Sequence, residues 1–356
     1  MVDVVLIFGG VGEERLVSVA SAQNLILNYS FSMLLFWDAY GDLFLEPKEA
    51  VLSHRSPFTE PYRPTGKRVL QVDVTDFRWT EFLRERVVFL GLHGGLGENG
   101  ELQSLFERNK IVFTGSSSRA SRLAFDKWSA KAAMKRIAKV PLSQQASLVE
   151  SPESFEQKVR SFFQQYGACV LKPNCSGSSF GLFFVDEEKY IRDVVSEIYQ
   201  TIRGSLLDQN QTYLIETKVK GRELTVSYLD GCSFYHAQSL CPSEVILEKG
   251  HHFDYLGKYL GRGVREVTPA DISIKAEANA KRLAQLAHHT LGCYGYSRTD
   301  MILQEDDSVV FLETNTLPGL STTSFLPQQL RAQGISLNDF IQAQVELALN
   351  RPNWSS

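Results

Sequence analysis

The chain opens on an unbroken apolar run, residues 2–8, that stops at Gly9-Gly10. A run this short and continuous predicts a strand buried on both faces. Glycine at its end lets the backbone approach a ligand near a following helix, which the pattern places at about residues 14–28. Between about 39 and 68, Pro, Gly and charge interrupt any period, so this stretch reads as surface elaboration. Residues 86–93 predict the next strand, 102–110 a helix and 111–114 another strand. Strand, helix and strand at this spacing predict a parallel sheet in an α/β unit over about 1–115.

Helical spacing then runs from 119 to 139, with Asp126, Lys127 and Lys131 set among Ala, Trp and Met. A second helix is predicted over 152–165. Strands at 169–172 and 182–185 flank the loop Pro173-Asn-Cys-Ser-Gly-Ser-Ser-Phe-Gly181. A helix over 188–203 precedes strands at 213–219 and 223–229. The last third reads as a loop (248–269), a helix (274–291), a hairpin (298–314), a loop (315–325) and a closing helix to 349.

With 356 residues, the length allows two to three domains. The composition, 43% hydrophobic and 22% charged, is that of an ordinary globular chain. Lys and Arg total 37 against 41 Asp and Glu, which disfavours nucleic acid as a partner but leaves a local anion site open. Five scattered cysteines with no CxxC pair read as reduced thiols. No apolar stretch approaches the ~18 residues that span a bilayer, and the N-terminus lacks the features of a signal peptide. A soluble, cytoplasmic protein without membrane partners is expected.

Three places could carry chemistry. Gly95-Leu-Gly97-Glu-Asn-Gly100 matches GxGxxG, but it sits late in its unit and lacks the acidic residue that would bind a ribose, so a dinucleotide site is disfavoured. The Gly/Ser loop after Lys172 could wrap phosphate oxygens, although in isolation a flexible hairpin loop is the simpler reading. The C-terminal hairpin is more informative. Centred between Asp306 and Asp307, with a two- or four-residue loop, it sets Asp300 opposite Glu313 and Arg298 opposite Asn315 on one face. Opposed carboxylates repel and need a cation. Arg298 alone could serve, but the apolar flanks argue burial, and an all-oxygen set suits Mg²⁺. His93, at the end of its strand, is as readily structural as chemical. His251-His252 and His288-His289 lack a second ligand pair and read as surface or helix residues.

In order along the chain, Gly9-Gly-x-x-x-Glu14-Arg15-x-Val-Ser18, Leu92-His-Gly-x-x-Gly-Glu98-Asn-Gly100, Asp126-Lys127 and Leu171-Lys-Pro-x-x-x-Gly-Ser-Ser179 resemble the D-alanine–D-alanine ligases. So do Leu214-Ile-Glu216, Gly221-x-Glu223-x-Thr-Val226, Asp254-Tyr255-x-x-Lys-Tyr259, Arg298-x-Asp300, Glu313-x-Asn-Thr-x-Pro-Gly319 and Ser324-x-x-Pro327. The resemblance implies a three-domain ATP-grasp fold. Residues 1–116 would form a Rossmann-like parallel-sheet domain with the first D-alanine site and the dimer contact. Residues 117–211 and 212–356 would form the two ATP-grasp subdomains.

It further implies ATP-dependent ligation of two D-alanines through a D-alanyl phosphate, for peptidoglycan precursors, by a homodimer. Lys127 and Lys172 would bind the nucleotide phosphates with Ser179. Glu216, Thr217 and Val219 would lie at the adenine edge, and Glu223 at the ribose. Asp300, Glu313 and Asn315 would hold two Mg²⁺ ions, with Mn²⁺ an alternative. Arg298 and the Gly319 N–H would stabilise the tetrahedral oxyanion. Glu14, with His93 nearby, would take the first substrate's ammonium, partnered by Ser178 and Tyr259. Lys258 and Ser324 would meet the second substrate's carboxylate beside Phe325, with Lys258 also near the nucleotide. Loops 176–181 and 250–264 would act as lids that exclude water.

Leu16, Ser176, Asn99, Thr217, Phe253 and Phe325 depart from the usual family residues, mostly around the lids and the second substrate. They leave a ligase using D-serine or D-lactate as the near alternative, and a non-catalytic ATP-binding paralogue as the more distant one.

Overall fold

The computed structural model describes residues 2–12, 14–71, 78–177, 181–203, 211–247 and 264–351. Val4–Gly9 lies inside a six-stranded sheet, between Met33–Trp37 and Val87–Leu90 and parallel to both, which is why its residues are apolar without alternation. Val112–Phe113 continues the parallel part. Residues 39–68 do more than elaborate the surface. Asp42–Leu45 and Lys67–Gln71 extend the sheet antiparallel at one edge, with the helix Lys48–Ser53 between them. Such short edge strands carry too few inward positions to show a period. Gly9 is required at the strand end: its φ is +96°, and a Cβ there would lie 2.2 Å from the Trp37 carbonyl oxygen.

A second, antiparallel sheet runs Ser143–Ser147, Thr212–Thr217, Cys169–Pro173, Phe183–Val185. Helices Pro152–Tyr166 and Ile191–Arg203 contribute Phe155, Val159, Val195 and Ile198 to its core. The third sheet has the order Val264–Val267, Ser243–Leu247, Arg222–Leu229, Tyr296–Leu303, Val309–Asn315, antiparallel throughout. Val264–Val267 thus places a strand inside the stretch 248–269 expected to be loop. The helix Ile274–Thr290 packs Ala280, Ala284 and Ala287 against Leu224, Val226 and Met301 of this sheet. Thr212–Thr217 pairs within the second sheet, so the expected boundary at 211/212 falls inside a sheet. Ala124, Ala130 and Met134 belong to the core of the third sheet.

Two local breaks matter for the site. The helix expected over 119–139 divides into Ser118–Phe125 and Lys127–Met134, because Asp126 turns extended and its side chain caps the second helix by accepting from Ser129 N at 2.8 Å. Asn174 satisfies the next free donors, taking Lys127 N on its carbonyl at 3.2 Å and Trp128 N on Oδ1 at 2.8 Å. Lys127 is thereby fixed as the first helical residue, tied to the loop that follows Lys172. The closing helix also divides, into Phe325–Ala332 and Leu337–Leu349, at Gly334 with φ +72° and the Ser336 cap.

The hairpin differs from expectation in its loop. Leu303 pairs with Val309 and Gln304 N donates to Ser308 O at 2.8 Å, leaving a three-residue loop with Asp307 at φ +65°. That loop alone would pair Asp300 with Leu312. A β-bulge between Asp300 and Met301 leaves Leu312 unpaired and restores Asp300 opposite Glu313 and Arg298 opposite Asn315. Replacing the Asp126 cap by Ala should lower stability by about 1 kcal/mol, and Asp126→Ser should recover most of it, both measured by urea unfolding.

Candidate active site

The hairpin gives the site an acid face. The Asp300 carboxylate is buried and accepts from Thr225 Oγ1 at 2.6 Å, Arg298 Nε at 2.9 Å and Nη2 at 2.8 Å, and Asn315 Nδ2 at 3.2 Å. Glu313 Oε2 lies 3.6 Å from Lys127 Nζ. The two opposed acids are thus each met by a cation, which offsets their repulsion. Their donor set is all oxygen. Among the described residues no three His, Cys, Asp or Glu side chains form a cage for a metal ion by themselves. Two carboxylates and an amide fit a Mg²⁺ ion that completes its shell with phosphate oxygens and water.

Beside this face is a cluster of buried charges. Glu216 bridges two ammonium groups, with Oε1 2.9 Å from Lys131 Nζ and Oε2 2.9 Å from Lys172 Nζ. Lys131 also donates to the bulged Leu312 carbonyl at 2.6 Å. Burial and the neighbouring Lys172 push the Lys131 ammonium down to about 8. Burial acts on Lys172 in the same sense, but Glu216 and Glu313 outweigh it and raise this group. Burial would raise Glu216, yet the two lysines hold it below the usual carboxylate range. Lys127 donates to the Ser176 carbonyl.

Lys127, Lys172, Glu216, Asp300 and Glu313 line one cleft between the second and third sheets. The same cleft has apolar lining from Val170, Phe184, Ile302 and Leu312, a slot that Thr217, Lys218 and Val219 also line. A second cleft is lined by Glu14, His93, Arg298, Gly319, Ser324 and Phe325. Glu223, Asp300 and Glu313 line both, so the two clefts share a wall.

Glu14 projects into a notch between two glycines. A Cβ on Gly94 or on Gly177 would lie 1.9 or 2.3 Å from its Oε2. The Arg298 guanidinium carbon sits 5.9 Å from the Phe325 ring centroid, and Phe325 packs on Val245. Ser324 Oγ is 2.7 Å from Ser321 Oγ, and a Cβ on Gly319 would lie 2.6 Å from it. His93 spends both ring nitrogens within the protein, Nε2 at 2.7 Å from Ser21 Oγ and Nδ1 at 2.8 Å from Leu317 O. Ser178, Ser179, Lys258, Tyr259 and most of the expected 250–264 lid lie outside the described residues.

The family comparison completes this picture. Residues 3–116 match the family described as D-ala D-ala ligase N-terminus, and residues 137–346 the one described as D-ala D-ala ligase C-terminus. The chain belongs to the D-alanine–D-alanine ligase family. Among curated relatives named D-alanine--D-alanine ligase, that of Halalkalibacterium halodurans is 32% identical over 316 residues, covering 88% of this chain and 98% of its own. The one of Bacteroides fragilis is 30% identical over 353 residues, 97% of this chain and 98% of its own. The solved VanG D-Ala:D-Ser ligase of Enterococcus faecalis matches with a TM-score of 0.79 at 25% identity, covering 98% of this chain and 99% of that one. The D-alanyl-alanine synthetase A of Vibrio cholerae matches with a TM-score of 0.75 at 23% identity, over 98% and 99% of the two chains. The α/β architecture is the ATP-grasp fold of these ATP-dependent ligases. No described helix is long and apolar enough to cross a membrane.

In this ligase-family chain the GxGxxG segment packs on protein: a Cβ on Gly97 would meet Leu92 Cβ at 2.7 Å, and one on Gly100 the Ser118 carbonyl oxygen at 2.3 Å. Sequence reasoning assigned no role to Lys131, Thr225 or Glu98. Lys131 stands one helical turn beyond Lys127, a spacing that could have flagged it. Thr225 faces Asp300 only through strand pairing. Glu98 is buried and accepts from Gly94 N at 2.9 Å and Leu317 N at 2.8 Å.

Burial, with Glu14 nearby, pushes the Glu98 carboxyl up from 4.5 to about 7. Burial pushes the His93 imidazole down from 6.5 to about 4. Between pH 4.5 and 7 native Glu98 keeps a proton that the unfolded chain has lost, so stability falls as pH rises. Between pH 4 and 6.5 the unfolded chain gains a proton that native His93 refuses, so stability rises with pH. Glu98→Gln removes the falling slope alone. The unfolding free energy of the variant relative to wild type should therefore climb by up to about 3 kcal/mol between pH 4.5 and 7 in urea titrations, whatever its constant offset. A flat difference would contradict the raised carboxyl.

Proposed function

We propose that the protein joins two D-alanines to D-alanyl-D-alanine with ATP, through a D-alanyl phosphate, supplying peptidoglycan precursors. The observation that carries this reading is the shared wall. A nucleotide whose base fills the apolar slot would present its phosphates to Lys127, Lys172 and the acid face, across which the second cleft would hold the amino acids. A free carboxylate is a poor electrophile. Transfer of the γ-phosphoryl group to the first D-alanine makes an acyl phosphate and ADP; attack by the second D-alanine's amine forms the C–N bond, and phosphate leaves.

In this reading Glu14 takes the first D-alanine's ammonium in its glycine notch, with Ser178 and Tyr259 as hydrogen-bonding partners. Arg298 and the Gly319 N–H face the developing oxyanion. Glu216 is committed to Lys131 and Lys172, so it anchors the cleft while Thr217 and Val219 meet the adenine edge and Glu223 the ribose. Ser179 contributes to phosphate binding, and Lys258 and Ser324 to the second carboxylate, against a pocket wall formed by Phe325. Asp300, Glu313 and Asn315 would hold two Mg²⁺ ions, or Mn²⁺, which when bound neutralise the charge on the transferring phosphoryl group. The packing supports grouping residues 143–217 around the second sheet, with the helices between 118 and 134 joined to the third. A cytoplasmic homodimer paired through residues 1–116 is the assembly we infer from the family, and light scattering tests it.

Purified protein should release phosphate from ATP on addition of D-alanine and yield the dipeptide mass. Release that needs D-serine or D-lactate added together with D-alanine would reassign the acceptor, and release with none of these combinations would overturn the ligase reading. Arg298→Ala should keep ATP binding and lose turnover by roughly two to three orders of magnitude, the scale of a lost oxyanion donor. An unchanged rate would remove Arg298 from the reacting centre.

A further inference from the structure

Pro318 and Gly319 are bracketed by Leu317 and Leu320, and side chains from the first-sheet unit hold all four main-chain polar groups of these two leucines. Leu317 N donates to Glu98 Oε1 at 2.8 Å, and Leu317 O accepts from His93 Nδ1 at 2.8 Å. Leu320 N donates to Ser21 Oγ at 3.0 Å, and Leu320 O accepts from Asn24 Nδ2 at 2.8 Å. The pattern has a single polarity. A carbonyl can only accept, so His93 carries its proton on Nδ1. Its Nε2 then accepts from the Ser21 hydroxyl, 2.7 Å away, whose remaining lone pairs take the Leu320 N–H. Glu98 closes the other end by accepting from Gly94 N, in the glycine notch of Glu14. Ser21, Asn24, His93, Glu98, Leu317 and Leu320 are all buried.

Pro318 has no N–H, and no acceptor among the described residues takes the Gly319 N–H. Between the two clamped leucines, the unspent donor belongs to Gly319, a residue that lines the second cleft.

We propose that Ser21, Asn24, His93 and Glu98 form a positioning clamp that sets the Gly319 N–H against the reacting carbonyl. They act through the 317–320 main chain and do not touch substrate. The proposal rests on the reading of Gly319 as an oxyanion donor. It also gives His93 a different task from contact with the first D-alanine. Buried hydrogen bonds of this kind hold a donor to a fraction of an ångström, the tolerance that oxyanion stabilisation needs.

Hydrogen exchange and kinetics on Ser21→Ala, Ser21→Thr and Asn24→Leu test it. Ser21→Ala and Asn24→Leu should speed amide exchange about tenfold or more in the peptide spanning 315–325, leaving Val4–Gly9 unchanged. They should cut kcat about ten- to a hundredfold while the KM for ATP stays within twofold. Ser21→Thr, which keeps the hydroxyl, should restore both. Unchanged exchange in 315–325, exchange rising equally in Val4–Gly9, or faster exchange with kcat intact would each overturn the clamp. A wild-type protein without D-alanine-dependent turnover would overturn the functional reading alone, because the exchange contrast between Ser21→Ala and Ser21→Thr still decides the clamp.

Discussion

The strand pairing between Tyr296–Leu303 and Val309–Asn315 carries one extra residue, Leu312, and the placement of every group on the acid face follows from it. Side chains alternate across a strand, so a slip of one residue would turn Glu313 and Asn315 away from Asp300 and Arg298. The three-residue loop at the hairpin tip introduces such a slip, and the bulge reverses it. The bulge also sends Leu312 and Glu313 to the same side, so one irregularity supplies both the apolar slot and an acid. Its cost is a main-chain carbonyl that leaves the ladder, and the buried Lys131 ammonium satisfies it.

That lysine ties the hairpin to a charge balance. Lys131, Lys172 and Glu216 are two cations sharing one anion in a nearly closed space. Breaking such a buried set by removing Glu216 would leave two ammonium groups facing one another without compensation, far more costly than losing a surface pair. With Lys127 and Arg298 added against Asp300, Glu313 and Glu223, the groups around the shared wall hold one positive charge for each negative one. A polyanion therefore meets lysines and an arginine already balanced by carboxylates, a local setting that the net charge of -4 on the chain does not describe.

The third constraint joins distant parts of the sequence. Leu317, Leu320, Leu330, Phe340 and Ile341 belong to the same hydrophobic core as Val4–Phe8 and Phe89. The loop that carries Gly319 is thus packed and hydrogen-bonded as part of the first-sheet unit, although it leaves the third sheet. Motion between these units would move the acid face relative to Glu14, so the shared core makes their geometry a property of the whole chain.

Much of this was legible from sequence where the signal is local. Continuous apolar runs marked the buried parallel strands, alternation and polar turns marked the hairpin, and spaced motifs marked the family, the lysines and the acid face. Edge strands at 42–45 and 67–71 escaped because four or five residues are too few to show a period. The break at Asp126 escaped because a capping residue inside a helical pattern looks like any polar position. The register of Asp300 with Glu313 was anticipated, but from a loop of the wrong length, since a bulge leaves no mark in composition. What only the tertiary structure decided is which groups meet: Glu216 between two lysines, Thr225 on Asp300, and Glu98 and His93 on the main chain around Gly319. Sequence determines residue types and local periods, whereas pairing between residues hundreds of positions apart is fixed only when the core has closed around them.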